Sequence, residues 1–310
     1  MSQHVSVLLP ESIDLLQVKD GGIYVDLTLG RGGTSEAILK KLKSGHLYSF
    51  DLDLDAIKES EARLKKTGDN FTLIHGNYRN LKPLLEQYGV KEVDGITCDL
   101  GVSSPQFDEA ERGFTYKEEA PLDMRMDQTS SLTAEKIVNT YSYEDLKRIF
   151  KEYGEDEDSA SIARHIVKSR AILPIKTTSE LVSIIKESKP IKHLLKKGHP
   201  AKQIFQALRI EVNDELGSLK EMLSVTPTLL KRGGVLEIIT FHSLEDRLVK
   251  QAFNNLTKTE GNRHVFINNE EKEFELLTRK PVTAGETELE NNNRAHSAKL
   301  RAIRRKEEKK

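Results

Sequence analysis

VDGITCDLGVSSPQ (Val93 to Gln106) and GGVLEIITFHSLEDR (Gly233 to Arg247) carry the same strand signal, and the distance between them decides the fold. Each is a β-branched apolar run that closes on polar residues. A single strand–helix–strand crossover needs about a dozen residues or a little more, whereas Val102 to Gly234 is 133 residues. From Asp108 to about Lys231 every periodic segment in that gap is helical. Leu146, Ile149, Phe150 and Tyr153 share one face, behind a capping box of Ser142 with Asp145. Ile204, Phe205, Leu208, Val212, Leu216 and Leu219 continue that spacing as one long helix. Upstream, strand and helix signals alternate: strands at Ile23 to Gly30, His46 to Asp53 and Phe71 to Tyr78, with helices at Ser35 to Gly45, Ala56 to Lys66 and Leu81 to Tyr88. Repeated units of this kind predict an α/β fold with a parallel, doubly wound sheet. The sheet domain is expected to be discontinuous, 1–107 and 216–310, with an all-helical domain, 108–215, inserted between strands four and five. Further short strands are expected at His264 to Ile267, Glu273 to Thr278 and Ala298 to Ile303, before a frayed charged tail from Arg304 to Lys310.

Composition narrows the function. The chain has 310 residues, 37% hydrophobic and 31% charged, which is apolar enough to bury a core. Lys and Arg number 48 against 49 Asp and Glu, a formal charge of −1 that excludes a general coat for nucleic acid. One cysteine, Cys98, forms neither an intrachain disulfide nor a Cys-rich zinc site, and no two of the nine histidines stand at H-x-x-x-H spacing, so no metal is expected. The N-terminus, with Glu11 and Asp14, lacks the basic and apolar regions of a signal peptide, and no run of about 18 apolar residues is present. A cytoplasmic protein away from the membrane is expected.

Ligands of open α/β sheets bind beyond the carboxyl ends of the strands. Four features fall there: the loop GRGG (Gly30 to Gly33), Asp51 at the end of strand two, Asn77-Tyr78 at the end of strand three, and Asp99 at the end of strand four. Glycines let the backbone approach a ligand, and a carboxylate such as Asp51 accepts hydrogen bonds from both ribose hydroxyls. Gly30 and Gly32 match the first two glycines of a dinucleotide fingerprint, but Ser35 stands at the third. An adenosyl cofactor without a pyrophosphate fits at least as well.

The blocks DLGVSSPQFDEAERGF (Asp99 to Phe114), LDMRMD (Leu122 to Asp127), HPAKQIFQALRIEVNDEL (His199 to Leu216), FHSLEDR (Phe241 to Arg247) and NNNRAHSAKLR (Asn291 to Arg301) together resemble the bacterial 16S rRNA cytosine-N4 methyltransferase family, RsmH or MraW. The likeness runs over nearly the whole chain. It implies a Rossmann-like sheet that binds S-adenosyl-L-methionine and carries the inserted helical domain for substrate recognition. It also implies methylation of the exocyclic N4 of a cytidine in the decoding centre of 16S rRNA, naked or within the small ribosomal subunit. By position in the motifs, the cofactor contacts are Gly30, Gly32, Gly33, Thr34, Asp51, Tyr78, Asp99 and Gln106. Thr34 and Tyr78 stand where the family usually has histidine and often phenylalanine, and His296 replaces an arginine of the tail motif.

Methyl transfer to nitrogen asks mainly for alignment of donor and acceptor. The amine of cytosine is a poor nucleophile, and acceptors on its N–H groups localise the lone pair and receive the proton. Asp99 with the turn Ser103, Ser104 and Pro105 is the candidate for amine positioning, and His242 is a second candidate. Ser243 with Asp246 reads as a capping box. The stretch Lys189 to Arg209 holds Lys189, Lys192, Lys196, Lys197, Lys202 and Arg209 with no Asp or Glu, and is the candidate RNA surface. Two other readings stay open: a methyltransferase of another substrate, and a ribosome-assembly factor that binds the cofactor or RNA without turnover. The sequence leaves a homodimer open.

Overall fold

The structure is a computed structural model that describes residues 6–258 and 272–308. It divides into two compact units, Met1–Gly101 with Leu216–Lys310, and Val102–Glu215. The sequence reading put the first boundary at 107. The turn after β4 instead belongs to the helical unit, because Val102 is 2% exposed within that unit's core.

In the sheet unit the elements run α1 (Leu9–Leu16), β1 (Ile23–Asp26), α2 (Gly33–Leu39), β2 (His46–Asp51), α3 (Leu54–Leu64), β3 (Phe71–His75), α4 (Leu81–Glu86) and β4 (Val93–Asp99). The helical unit follows with α5 (Ser104–Asp108), α6 (Ala134–Thr140), α7 (Tyr143–Glu152), α8 (Ser159–Arg170), α9 (Thr178–Ser188), α10 (Ile191–Leu194) and α11 (Lys202–Asn213). The chain returns to the sheet through α12 (Glu215–Leu229), β5 (Leu230–Thr240), α13 (Ser243–Thr257), β6 (Phe274–Leu276), α14 (Glu286–Asn291) and β7 (Lys299–Arg305).

Among the described residues the sheet has seven strands in the order β3-β2-β1-β4-β5-β7-β6. The first five run parallel and β7 is antiparallel to both neighbours. Alternation along each strand sends side chains to opposite faces. Leu47 packs with Ile13, Leu16, Ile38 and Leu64 under α1, α2 and α3. Tyr48 and Phe50 pack with Leu81, Leu85, Met222, Val249 and Phe253 under α4, α12 and α13. One register row is polar across the middle of the sheet: Ser49, Asp26, Thr97 and Glu237 pair in turn and end on Ala302. Asp26 and Glu237 are almost fully buried in it. The Ser35 hydroxyl donates to Asp26 Oδ2 at 2.6 Å and lies 2.8 Å from Ser49 Oγ, and the Ser12 hydroxyl donates to Glu237 Oε1. That internal use explains a serine where a dinucleotide fold has its third glycine.

The helical unit closes around Ile137, Leu146, Ile149, Phe150, Ile162, Leu181, Ile185, Ile204 and Leu208. Its helix starts are written in the sequence. Thr177 and Glu180 form a full capping box, and Ser142 accepts from Asp145 N–H at 3.1 Å.

Four expectations need correction. The long helix expected through 204–219 is two helices, because Asp214 adopts a left-handed conformation (φ 46°), which a short polar side chain tolerates. Strand five begins at Leu230 rather than after the glycine pair. Gly233 (φ 78°) lets the chain bulge between the Val93–Leu230 and Gly95–Val235 pairs. The tail is not frayed from Arg304. Arg304 and Arg305 complete β7, and Arg305 donates to the Leu230 carbonyl at 2.7 Å. The helix after strand five is capped by His242 with Glu245, not by Ser243 with Asp246. Asp246 instead accepts from Arg301 at 2.7 Å, across from β7. The strand expected at His264 to Ile267 lies outside the described residues. Among the described residues no helix is long and apolar enough to cross a membrane.

Candidate functional site

Because β1 to β5 are parallel, their carboxyl ends share one edge of the sheet. Strand order reverses between β1 and β4, the switch point at which open α/β sheets bind ligands. The loop after β1 sits there. Gly30 (φ 49°) and Gly32 (φ 74°) take left-handed conformations, and Gly32 caps α2, whose first turn includes Gly33 and Thr34. A Cβ on Gly33 would lie 2.2 Å from Ser6 Oγ, so Ser6 lies against the loop. Asp51 ends β2 beside it. Gly30 N–H donates to Asp51 Oδ2 and Asp53 N–H to Asp51 Oδ1, each at 2.8 Å. Loss of water outweighs those two donors and pushes the Asp51 carboxyl up to about 6, with Asp53 and Asp26 adding to the effect.

Asp99 ends β4 on the other side of β1, about 10 Å from β2 at the usual strand spacing. Its N–H donates to Thr28 Oγ1 at 2.6 Å. Among the described residues no donor reaches its buried Oδ1. Burial pushes its carboxyl up to about 7, against the charge of Arg294 and helped by Asp26 and Glu245. Tyr78 opens a short turn after β3, anchored by Asn77, whose amide donates to Ser218 Oγ at 3.1 Å. His242 follows β5 and serves as a helix cap, with Nε2 3.0 Å from Glu245 Oε1.

Matching of the chain to family models settles the membership. The model described as the MraW methylase family covers residues 1–306. The chain belongs to the MraW methylase family. S-adenosylmethionine is the methyl donor of the MraW methylases and the cofactor of this chain. Among solved structures, the chain is similar to a candidate rRNA methylase from Clostridium thermocellum (14% identity, 97% of this chain and 99% of that chain, TM-score 0.45). It is also similar to an rRNA methylase from Streptococcus thermophilus (14%, 98% and 99%, TM-score 0.41). A third is a candidate methyltransferase from Streptococcus mutans in complex with SAH (14%, 97% and 99%, TM-score 0.40).

The residues of this MraW methylase fit the cofactor. Asp99 offers a buried acceptor oxygen that no donor reaches among the described residues, Asp51 offers a carboxylate at the end of β2, and the glycine loop follows β1, the strand between them. In the helical unit, Ser104 and Pro105 open α5, and the Ser103 N–H donates to Oε1 of the buried Gln106 at 3.0 Å.

The basic run of the helical unit is not the continuous face that its sequence suggests. Lys189 is buried, with Nζ 2.6 Å from Asp156 Oδ2 and 3.5 Å from Asp158 Oδ2. Arg209 makes a two-bond pair with Glu215 at 2.7 and 2.9 Å, and Lys196 lies 3.0 Å from Glu157. The fold brings acids from 156–158 against a segment that has none of its own. Lys192, Lys197 and Lys202 remain exposed, with Ile191 and Leu195 bare on the same short stretch. LDMRMD proves to be a brace. Arg125 donates to both Asp123 oxygens and to the Gln128 and Ser130 carbonyls, and Asn213 holds the Met124 carbonyl and the Met126 N–H.

Sequence reasoning missed Asp26, Thr28, Glu245 and Arg294. An acid ending an apolar strand was the available signal for Asp26. Arg294 stands in the sequence analysis only within the block NNNRAHSAKLR.

Proposed function

We propose that this methylase transfers a methyl group to the exocyclic N4 of a cytidine in the decoding centre of 16S rRNA, in the cytoplasm, with the helical unit recognising the RNA. The observation that carries the chemistry is Asp99: a buried carboxyl with one unsatisfied oxygen, titrating at about 7 at the carboxyl edge of β4. A group with that value is about half ionised at neutral pH, and its ionised form is a base matched to accept a proton there. S-adenosylmethionine supplies a methyl group on sulfonium, so that the C–S bond breaks as the N–C bond forms and the amine sheds a proton.

The protein's part is to bind and align. Asp51 would accept from hydroxyls of the cofactor's ribose, and Gly30, Gly32, Gly33, Thr34 and Tyr78 would hold the rest of it. In the sheet unit Asp99 would be the remaining cofactor contact. Asp99 holds an N–H and takes up charge, with the Ser103 to Pro105 turn beside it in sequence. His242 is kept as a neighbour that orders Glu245 and α13 rather than as a proton carrier, because its ring is engaged in the cap. Lys192, Lys197 and Lys202 are the RNA-facing charges. The flat total charge suits an enzyme that visits one nucleotide and leaves.

The test is nucleoside mass spectrometry of 16S rRNA from a strain that lacks the gene. Loss of N4-methylated cytidine, restored by the wild-type gene and not by Asp99→Ala, is expected. Unchanged N4-methylated cytidine in the deleted strain overturns the assignment.

A further inference from the structure

Glycine has more backbone freedom to lose than any other residue, so a glycine loop is a poor clamp unless something else orders it. In this chain α3 orders the loop after β1. Gly30 is gripped on both sides: its N–H donates to Asp51 Oδ2 at 2.8 Å, and its carbonyl accepts from the Ser60 hydroxyl at 2.7 Å. Ser60 is 1% exposed and faces the loop, since a Cβ on Gly32 would stand 3.3 Å from Ser60 Cβ. Nearly one turn further along α3, Arg63 Nη1 donates to the Arg31 carbonyl at 3.1 Å, while Arg63 Nε donates to Glu36 of α2 at 2.6 Å. Two successive peptide planes of the loop are therefore pinned by their carbonyls. Among the described residues no peptide bond is cis, and a trans peptide carries its N–H opposite its carbonyl. The Arg31 N–H is thus turned away from α3. The same helix is tied to Asp51, because its capping residue Asp53 donates its N–H to Asp51 Oδ1.

We propose that Ser60, seconded by Arg63, is a positioning residue for the cofactor: it sets the Gly30 to Gly33 backbone in its binding shape before S-adenosylmethionine arrives. Ordering that is complete before binding is not charged against affinity, and a loop out of shape lowers affinity by the fraction of chains that remain competent. Neither side chain needs to touch the cofactor. Loss of one neutral hydrogen bond shifts an equilibrium about fivefold, and loss of both pins shifts it further. The inference rests on the reading of Gly30 to Gly33 as the cofactor loop, so one of its two readouts needs no ligand.

The full-length protein is compared with its Ser60→Ala, Ser60→Thr, Arg63→Met and Ser60→Ala/Arg63→Met variants. The first readout is amide hydrogen exchange at Gly30 and Gly32 in ligand-free protein, with the Leu29 N–H, which donates to the Phe50 carbonyl at 2.8 Å, as the internal standard for the sheet. The second is affinity for S-adenosylhomocysteine by calorimetry. Ser60→Ala should speed exchange at Gly30 and Gly32 about fivefold with Leu29 unmoved, and weaken S-adenosylhomocysteine by up to the same factor. The double variant should exceed it on both, and Ser60→Thr, which keeps the hydroxyl, should stay near wild type. Arg63→Met alters a side chain that is 42% exposed, so its smaller effect is free of core damage. Lys40→Met removes a charge from the same Glu36 without touching the loop and should change neither readout. Exchange at Gly32 that is unmoved in Ser60→Ala overturns the proposal. So does unchanged S-adenosylhomocysteine affinity in the double variant when Asp51→Ala weakens it. Affinity that Asp51→Ala also leaves unchanged strikes the reading of the site instead, and ligand-free exchange still decides whether Ser60 holds the loop.

Discussion

Replacing Glu237 by glutamine should make the protein more resistant to alkaline unfolding. Glu237 sits in the centre strand region with no exposure, in the polar row between Thr97 and Ala302. Burial pushes its carboxyl from 4.5 up to about 8, although the Ser12 hydroxyl works the other way. A carboxyl whose folded value lies above its unfolded value keeps its proton longer when folded. The unfolding free energy then falls as pH rises past 4.5, and the fall levels off above 8. Applied to 4.5 and about 8, the linkage gives a loss of about 4 kcal/mol between pH 5 and pH 9. Glutamine has nearly the same shape, still accepts from Ser12 and does not titrate. The stability of Glu237→Gln minus that of wild type should therefore widen by that amount over the range, measured by urea unfolding at each pH. Asp51 and Asp99 titrate in the same interval but are present in both proteins, so they cancel in the difference. A difference that stays flat from pH 5 to pH 9 refutes the reasoning.

Asp51→Ala should weaken S-adenosylhomocysteine binding by about 1.5–3 kcal/mol, roughly 10–150-fold, because a charge-assisted acceptor is lost; unchanged affinity by calorimetry removes Asp51 from the site. Asp246→Asn should cost about 1–3 kcal/mol in chemical denaturation, since Arg301 is 2.7 Å away and mostly buried. In the helical unit, Lys189→Met should leave the salt dependence of rRNA binding unchanged, whereas Lys192→Ala and Lys197→Ala should each lower the slope of log affinity against log salt by about 0.7–0.9. Equal effects of all three would return Lys189 to the RNA surface.

The ends of β2 and β4 were legible because each apolar run closes on a carboxylate, Asp51 and Asp99. That was enough to bring the glycine loop, Asp51, Tyr78 and Asp99 to one edge, since parallel order follows from the repeated units. What the sequence concealed depends on partners far along the chain. Ser243 and Asp246 have the spacing of a capping box, yet Arg301 from β7 takes Asp246 and leaves the cap to His242 and Glu245. Lys189 reads as a surface charge until the segment before α8 brings Asp156 and Asp158 against it. Asp214 breaks an apolar repeat that shows no glycine or proline at that point. A backbone bend and a long-range ion pair leave no local period to read.

The insertion also sets the order in which the sheet can be built. Cys98 of β4 pairs with Ile238 of β5, 140 residues later in the chain. Were that excursion a flexible chain, closing it would cost about 2 kcal/mol more than closing a crossover of a dozen residues. The helical unit has a hydrophobic core of its own, and its helices are joined by local contacts that favour early folding. Until β5 follows, β4 presents Ile96 and Cys98 on an unpaired edge, for on the order of 10 s of translation. The newborn chain thus carries a half-sheet with one sticky margin, and the last third of the sequence both completes the sheet and removes that margin.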